Sequence, residues 1–158
     1  MSASADRLPH IDEHTAVVDA DPAASWDALL RVAEAFGSSG ATPRFARLLG
    51  CADLEASGPR PLAAGSAFPG FHVEVAERPL ELALLGSHRF SDYALVFRLD
   101  DLGDGCTRLR AETRAEFPGL KGRVYRAMVI GTRGHVLVTR RLLNAAKRRA
   151  ERVYSAGS

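Results

Sequence analysis

His135 is a histidine on the apolar face of a predicted helix. At about 100° per residue along a helix, it lies on one stripe with Leu120, Val124, Ala127, Met128, Gly131, Val138, Leu142 and Ala145. An imidazole titrates near neutral pH, so a histidine facing the interior can orient a ligand oxygen or act as an acid or base. Tyr93 and Tyr125 are the candidate proton partners. The alternative is a structural histidine, hydrogen-bonded to a backbone carbonyl or to Tyr93, and the sequence leaves both roles open.

The segment that carries His135 runs from Pro118 to Val153 without another proline. Its apolar stripe and length predict a single amphipathic helix of about ten turns. Gly131 lies in the middle of the stripe, where glycine costs about 1 kcal/mol relative to alanine. It either lets a ligand or a strand approach closely or marks a kink.

The other side of this predicted helix is basic. Glu151 is its one acidic residue, against the cations Lys121, Arg123, Arg126, Arg133, Arg140, Arg141, Lys147, Arg148, Arg149 and Arg152. We interpret this face as a solvated helix surface, whose C-terminal cations also suit the helix dipole. Weak contact with an anionic membrane is the alternative.

Such a helix needs a surface to lie on, and the middle of the chain predicts strands. Phe71–Glu77, Leu80–Gly86, Arg89–Asp100 and Cys106–Phe117 have strand patterns, and Asp104-Gly105 is a strong hairpin signal between the last two. In the last strand apolar and charged residues alternate, which indicates a sheet with one covered face.

The first part of the chain predicts a strand followed by two short helices. His10–Asp19 is the strand, and its inward face stays open because Ala16 and Val18 compete with Val17. Asp21-Pro22 begins a helix over Pro22–Phe36, and Pro43–Leu49 forms a second. Residues 1–7 are expected to be a disordered tail, and residues 8–154 a single domain.

This element order predicts an α+β fold. A curved antiparallel sheet of about six or seven strands wraps around the long C-terminal helix, and the two short helices close one end.

The chain resembles the helix-grip superfamily, often labelled SRPBCC, which includes START domains, relatives of the birch pollen allergen and bacterial polyketide cyclases. The resemblance rests on VVDADPAASWDALL near the start and GLKGRVYRAMVIGTRGHVLVTRRLLNAAKRRAE near the end. In the second motif Tyr125 and His135 match a tyrosine and a histidine of uncharacterised bacterial members. Because the superfamily hosts carriers, cyclases and plain binders, the resemblance implies the fold more than the chemistry.

A rod-like helix does not fill a concave sheet everywhere, so a gap of about 300–1,000 Å³ is expected between them. A solid core is the alternative, and the resemblance favours a pocket. The predicted lining is Phe71, Val73, Leu82, Leu84, Ser91, Tyr93, Leu95, Phe97, Leu109, Ala111, Thr113, Val124, Met128, Gly131 and His135.

Bulk composition and the lack of known motifs narrow the classes of function. The chain has 158 residues and a formal net charge of +2, which does not indicate a nucleic-acid partner. Cys51 and Cys106 have no metal-ligand spacing, and no nucleotide-binding or serine-nucleophile motif occurs. We expect no metal, no cofactor, no stable membrane insertion, a cytoplasmic location, and a monomer or homodimer.

The leading hypothesis is a non-enzymatic protein that binds a hydrophobic or aromatic small molecule between sheet and helix. A cyclase- or dehydratase-type enzyme with His135 as acid or base is the second hypothesis. The third is an interaction module that uses the basic helix face.

Overall fold

A computed structural model describes residues 4–157 and shows an α+β fold built on one antiparallel sheet. The six strands are arranged in the order β1-β6-β5-β4-β3-β2. The fold class and strand number predicted from the sequence are therefore confirmed. After a short 3-10 helix at Ala5–Arg7, the elements are β1 (His10–Val18), α1 (Pro22–Ser38), α2 (Ala41–Leu49), β2 (Ala67–Phe68), β3 (Phe71–Glu77), β4 (Glu81–His88), β5 (Ser91–Gly103), β6 (Cys106–Glu116), α3 (Gly119–Gly131) and α4 (Gly134–Gly157).

Local sequence signals account for the element boundaries. The side chain of Asp21 accepts a hydrogen bond of 2.7 Å from the backbone N–H of Ala24, and Pro22 occupies the first turn of α1. Asp104 and Gly105 have φ values of 53° and 72°, the left-handed pair that a tight hairpin turn requires. This turn joins β5 to β6 as predicted.

The inner face of the sheet follows the alternation expected for β6, where Thr107, Leu109 and Ala111 are buried. In β1 the structure settles the face that the sequence left open. Val18 is buried and Val17 is exposed, so Ala16 and Val18 face the core. Because side chains alternate along a strand, His14 and Asp12 lie on this same inner face.

The core lies between the inner face and two helices, α1 and the later part of α4. Trp26 and Leu29 of α1 meet Phe97 of β5 and Leu142 of α4 in one buried cluster. A void of about 10 Å³ lies among them, which is about the space of one water molecule. The side chains around it are therefore closely packed.

The outer face of the sheet carries a network of charges. Glu112 accepts hydrogen bonds from Arg98 at 2.6 Å and from Arg114 at 2.7 Å, and it contacts His10 at 2.9 Å. Burial acts to raise the pKa of Glu112, but the hydrogen bonds from His10 and Arg98 and the Arg114 charge outweigh it and lower the pKa to about 2.

Beside this network, the N-terminal segment packs against the sheet. Ala5 is buried in a cluster with Ala83, Ala94 and Val96. The tail expected at residues 1–7 thus differs from the structure at Ala5–Arg7, because a small apolar side chain covers the alanines of the outer face. Residues 1–3 lie outside the described part of the chain.

The C-terminal segment is two helices, and the prediction of one helix from Pro118 to Val153 is wrong. Helix α3 ends at Gly131 and α4 begins at Gly134. Between them Arg133 adopts φ = 54°, a left-handed conformation that ends the regular helix. The break lets α4 pack on α1 and β1 while α3 takes a separate course over the end of the sheet.

Candidate functional site

Helix α3 is attached to the sheet by an aromatic contact. The ring of Tyr125 stacks on Phe90 with centroids 5.5 Å apart and meets His88 edge-on at 4.9 Å. Gly122, one turn earlier, passes so close to the backbone oxygens of Phe117 and Phe90 that a Cβ atom would lie 2.9–3.1 Å from them. These contacts hold α3 against the turn between β4 and β5.

Two residues of this aromatic contact, His88 and Tyr125, have shifted pKa values. Burial lowers the pKa of His88, opposed by the nearby Asp92 carboxylate. Burial likewise raises the pKa of Tyr125, with a smaller contribution from Cys51. Both groups are therefore held neutral at pH 7.

An open groove lies along α3. Its volume is about 430 Å³, and its lining is Phe90, Leu120, Lys121, Val124, Tyr125 and Met128. Leu120, Val124 and Met128, one helical turn apart, are 78%, 72% and 57% exposed. Lys121 is the one charged residue of the lining, so the groove combines an apolar wall with a cation at its edge.

A second cluster joins α4 to β1 through polar groups. Nε2 of His135 lies 3.0 Å from Oδ2 of Asp12, and Nε2 of His14 lies 3.1 Å from the same oxygen. Because a carboxylate only accepts, each imidazole contributes its Nε2–H. The anion sits beside the first turn of α4, where the helix dipole favours negative charge.

Three atoms of this region are buried without a hydrogen-bond partner among residues 4–157. They are Oδ1 of Asp12, Nδ1 of His135 and Oγ1 of Thr113, which pairs with Asp12 across the strands. When His135 is neutral and donates from Nε2, its Nδ1 carries a free lone pair. The Asp12–His135 pair therefore has the arrangement of a base oriented by a carboxylate.

Tyr93 belongs neither to the groove lining nor to the polar cluster, although its ring packs on His88 with centroids 5.4 Å apart. Its hydroxyl donates a 2.5 Å hydrogen bond to the backbone oxygen of Gly70 and contacts Sγ of Cys51 at 3.7 Å. Burial, reinforced by Cys51, raises the pKa of Tyr93 far above its usual value of about 10. Its hydroxyl is thus engaged in a structural contact, away from His135.

Known structures share this architecture. The Zhui aromatase/cyclase from Streptomyces sp. R1128 aligns with a TM-score of 0.57 at 19% identity, covering 96% of this chain and 99% of that one. Ara h 8.0201 aligns with a TM-score of 0.50 at 11% identity, covering 88% and 95%. This chain has the helix-grip fold.

DynU16, from the dynemicin biosynthetic locus, is a further helix-grip neighbour, with a TM-score of 0.50 and 14% identity over 92% of this chain. The chain spans about half of that protein, with 47% covered. No protein-family model matches the chain, and no curated protein does. The resemblance drawn from the two sequence motifs is thus confirmed as a likeness of fold.

Within the helix-grip architecture, most of the predicted lining residues belong to the core. A void of about 10 Å³ touches Phe71, Leu84, Leu95 and Phe97, and these side chains pack closely around it. Helix α1 packs on the sheet beside α4 at this place. The other core members of the predicted lining are Val73, Leu82, Leu109 and Ala111, and Ser91 is also buried.

The remaining predicted site residues divide between the two features described above. Val124, Met128 and Tyr125 line the groove, whereas His135 and Thr113 belong to the polar cluster. Gly131 is exposed, and apart from its chain neighbours and the backbone of its own helix no atom lies within 4 Å of the position its Cβ would take. It marks the end of α3 and makes no close approach to a strand.

The sequence interpretation missed five residues of these features, one of which, Leu120, lies on the predicted apolar stripe but was not assigned to the lining. Asp12 and His14 follow from the alternation Asp12, His14, Ala16, Val18, once the inner face of β1 is known. Phe90 and Lys121 carried no such signal, because only the approach of α3 to the β4–β5 turn makes them neighbours.

Among residues 4–157 no group of histidine, cysteine and acidic side chains is arranged to hold a metal ion. None of its helices is both long enough and apolar enough to span a bilayer.

Proposed function

We propose that this protein binds a hydrophobic or aromatic small molecule in the groove between α3 and the β4–β5 turn. The observation that carries the proposal is the exposed stripe of Leu120, Val124 and Met128 facing a concave volume of about 430 Å³. That volume lies in the usual range for ligand sites. Covering apolar surface is favourable by about 25 cal/mol per Å², so a ligand in the groove gains directly from this stripe.

The lining suggests which ligands fit. Phe90 and Tyr125 present aromatic surface, which suits a flat ring system. Lys121 at the edge suits an anionic or hydrogen-bonding substituent. We therefore favour an aromatic ligand with one acidic or phenolic group. This proposed site differs from the location predicted from the sequence, which was between the sheet and the C-terminal helix.

The test uses 1-anilinonaphthalene-8-sulfonate, an aromatic anion whose fluorescence rises in apolar surroundings. We expect saturable binding at one site, and the Val124→Trp variant is expected to lower the affinity by at least about tenfold, because the indole fills the groove. Val153→Trp, at an exposed valine of α4, is the matched control and is expected to bind like the wild type.

Equal binding by Val124→Trp and the wild type would refute the site. Near-UV circular dichroism of each variant checks that the probe is not reporting loosened packing. Native mass spectrometry of the freshly purified protein tests in addition for a ligand that co-purifies.

The second candidate function is acid–base catalysis of the cyclase or dehydratase type. It is favoured by the Asp12–His135 pair, which orients an imidazole with a free Nδ1. Incubation with a linear β-polyketone tests it. We expect cyclised product from the wild type and none from His135→Ala, each assayed at a temperature at which circular dichroism shows that protein to be folded; equal turnover by the variant would exclude the role.

A further inference from the structure

Two short amphipathic segments flank the β4–β5 turn. The C-terminal end of α2 contacts one side of the turn, where the backbone N–H of Arg89 donates to the oxygen of Leu49 at 3.4 Å. On the other side Tyr125 of α3 packs on His88 and Phe90. We call the exposed residues of α2 and α3, together with Arg89 between them, the α2–α3 surface.

This surface exposes apolar side chains on both helices. Phe45 and Leu48 of α2 are 58% and 75% exposed. On α3 the groove residues Leu120 and Val124 are exposed to a similar degree. Large apolar groups gathered at one end of a protein mark a surface that is covered by a partner.

The same surface is strongly basic. Neither α2 nor α3 contains an acidic residue, and no residue from 4 to 157 forms an ion pair with any of the six exposed cations. These cations are Arg44, Arg47, Arg89, Lys121, Arg123 and Arg126. The surface therefore carries unpaired positive charge although the whole chain has a net charge of only +2.

We propose that the α2–α3 surface docks on the face of an anionic lipid bilayer. Cations interleaved with exposed Leu, Val and Phe side chains on short helices are suited to the membrane interface, where the charges meet lipid headgroups and the apolar groups enter the acyl boundary. A nucleic acid would pair with the cations but would leave Leu48 and Leu120 uncovered. Docking does not depend on the proposed groove ligand.

The experiment is sedimentation of the full chain with vesicles that contain about 30 mol % phosphatidylglycerol in phosphatidylcholine. We expect binding to these vesicles at about 0.1 M salt, loss of binding at about 0.5 M salt, and none to pure phosphatidylcholine. Arg44→Gln with Arg47→Gln is expected to weaken binding by about 25-fold, since each cation contributes about fivefold.

The matched charge control is Arg148→Gln with Arg152→Gln, which changes the net charge equally. These residues lie on the last turns of α4, where Tyr154 approaches the β5–β6 turn at the opposite end of β5. We expect this variant to bind like the wild type.

Apolar docking is tested by Phe45→Ser with Leu48→Ser, against Leu102→Ser with Val153→Ser as the control at exposed sites elsewhere. The first double variant is expected to lose vesicle binding. It is expected to bind 1-anilinonaphthalene-8-sulfonate like the wild type, since Phe45 and Leu48 lie outside the groove. The two measurements thus separate docking from ligand binding.

Three results would overturn the proposal. The first is that the protein does not sediment with anionic vesicles at low salt. The second is that the α2 variants and their control variants lose vesicle binding to the same extent. The third is that vesicles with and without phosphatidylglycerol bind the protein equally. Binding of a DNA duplex through the same cations, with no vesicle binding, would also refute it and assign the surface to a polyanion.

Discussion

His135 and Asp12 join the first turn of α4 to β1 through a contact of 3.0 Å between Nε2 and Oδ2. The pair is separated by 123 residues in the chain, so it fixes where α4 begins on the sheet. The polar cluster therefore has a structural consequence whether or not it takes part in chemistry.

The first prediction concerns the energetic coupling of this pair. Asp12→Asn and His135→Gln are each expected to lower the free energy of unfolding by about 1–3 kcal/mol, because each weakens a largely buried, charge-assisted hydrogen bond. The double variant is expected to lose less than the sum, with a coupling of about 0.5–2 kcal/mol. Urea unfolding of the four proteins measures it.

His14→Gln serves as the comparison in the same cycle. It removes the other imidazole on Oδ2 of Asp12 and keeps both residues of the Asp12–His135 contact. Strictly additive effects of Asp12→Asn and His135→Gln would show that the contact contributes nothing to stability.

The second prediction concerns the helix break. Arg133 has φ = 54°, a region in which a residue with a Cβ is strained by about 1–2 kcal/mol. Arg133→Gly is expected to raise the stability by about 0.5–1 kcal/mol, since glycine enters this region readily. Arg133→Ala removes the same exposed side chain but keeps the Cβ, so it is expected to leave stability unchanged. Thermal unfolding compares them, and equal stabilities of the two variants would contradict the strain.

Structural features that depend on adjacent residues were easier to predict from the sequence than features that depend on distant ones. The β5–β6 hairpin was predictable because alternation and Asp104-Gly105 are properties of adjacent residues. The break after α3 was harder, because the apolar stripe continues through it and only Gly131 and Gly134 mark the place. Both glycines are tolerated inside long helices, so their presence did not decide the conformation of Arg133.

The candidate site was less predictable than the fold. The apolar residues of β5 and β6 were correctly assigned to the inner face, but whether that face is filled depends on how closely α1 packs. Trp26 and Leu29 of α1 pack with Phe97 in that core. Asp12 was not predicted because the sequence did not decide the inner face of β1. Its partner His135 also lies far away in the chain, on α4.

The third prediction is a pH dependence that originates at Glu112. Its pKa is lowered to about 2 in the folded protein from 4.5. A depressed pKa means that the stabilisation is complete above about pH 4.5 and is lost as the pH falls toward 2. A shift of this size corresponds to about 3 kcal/mol, and solvent screening of the partly exposed arginine partners lowers the expected loss to about 2–3 kcal/mol.

Glu112→Gln is expected to be less stable at pH 7 and to show a flatter stability profile between about pH 5 and 2. Glu116→Gln, at an exposed position of the same strand, is the control and is expected to follow the wild type. An unchanged profile in Glu112→Gln, measured by urea unfolding at several pH values, would assign the acid sensitivity elsewhere.

The fourth prediction concerns the attachment of α3. Tyr125→Ala is expected to lower the stability by about 2 kcal/mol and to speed amide exchange in α3, because the contacts with Phe90 and His88 are lost. Tyr125→Phe keeps the ring and is expected to stay within about 0.5 kcal/mol of the wild type. Exchange rates in α3 that do not change in Tyr125→Ala would show that other contacts hold the helix.

The fifth prediction is that one of the three tyrosines does not ionise while the protein is folded. The buried hydroxyl of Tyr93 donates to Gly70, so its pKa lies far above 10 and its phenolate forms only on unfolding. Since the folded state retains this proton, stability falls as the pH rises above about 10.

In an ultraviolet titration, wild type and Tyr93→Phe are expected to give the same absorbance change before unfolding. The wild type then gains one further tyrosinate as it unfolds. A smaller change in Tyr93→Phe before unfolding would mean that Tyr93 is accessible to base and that its contact with Gly70 opens readily.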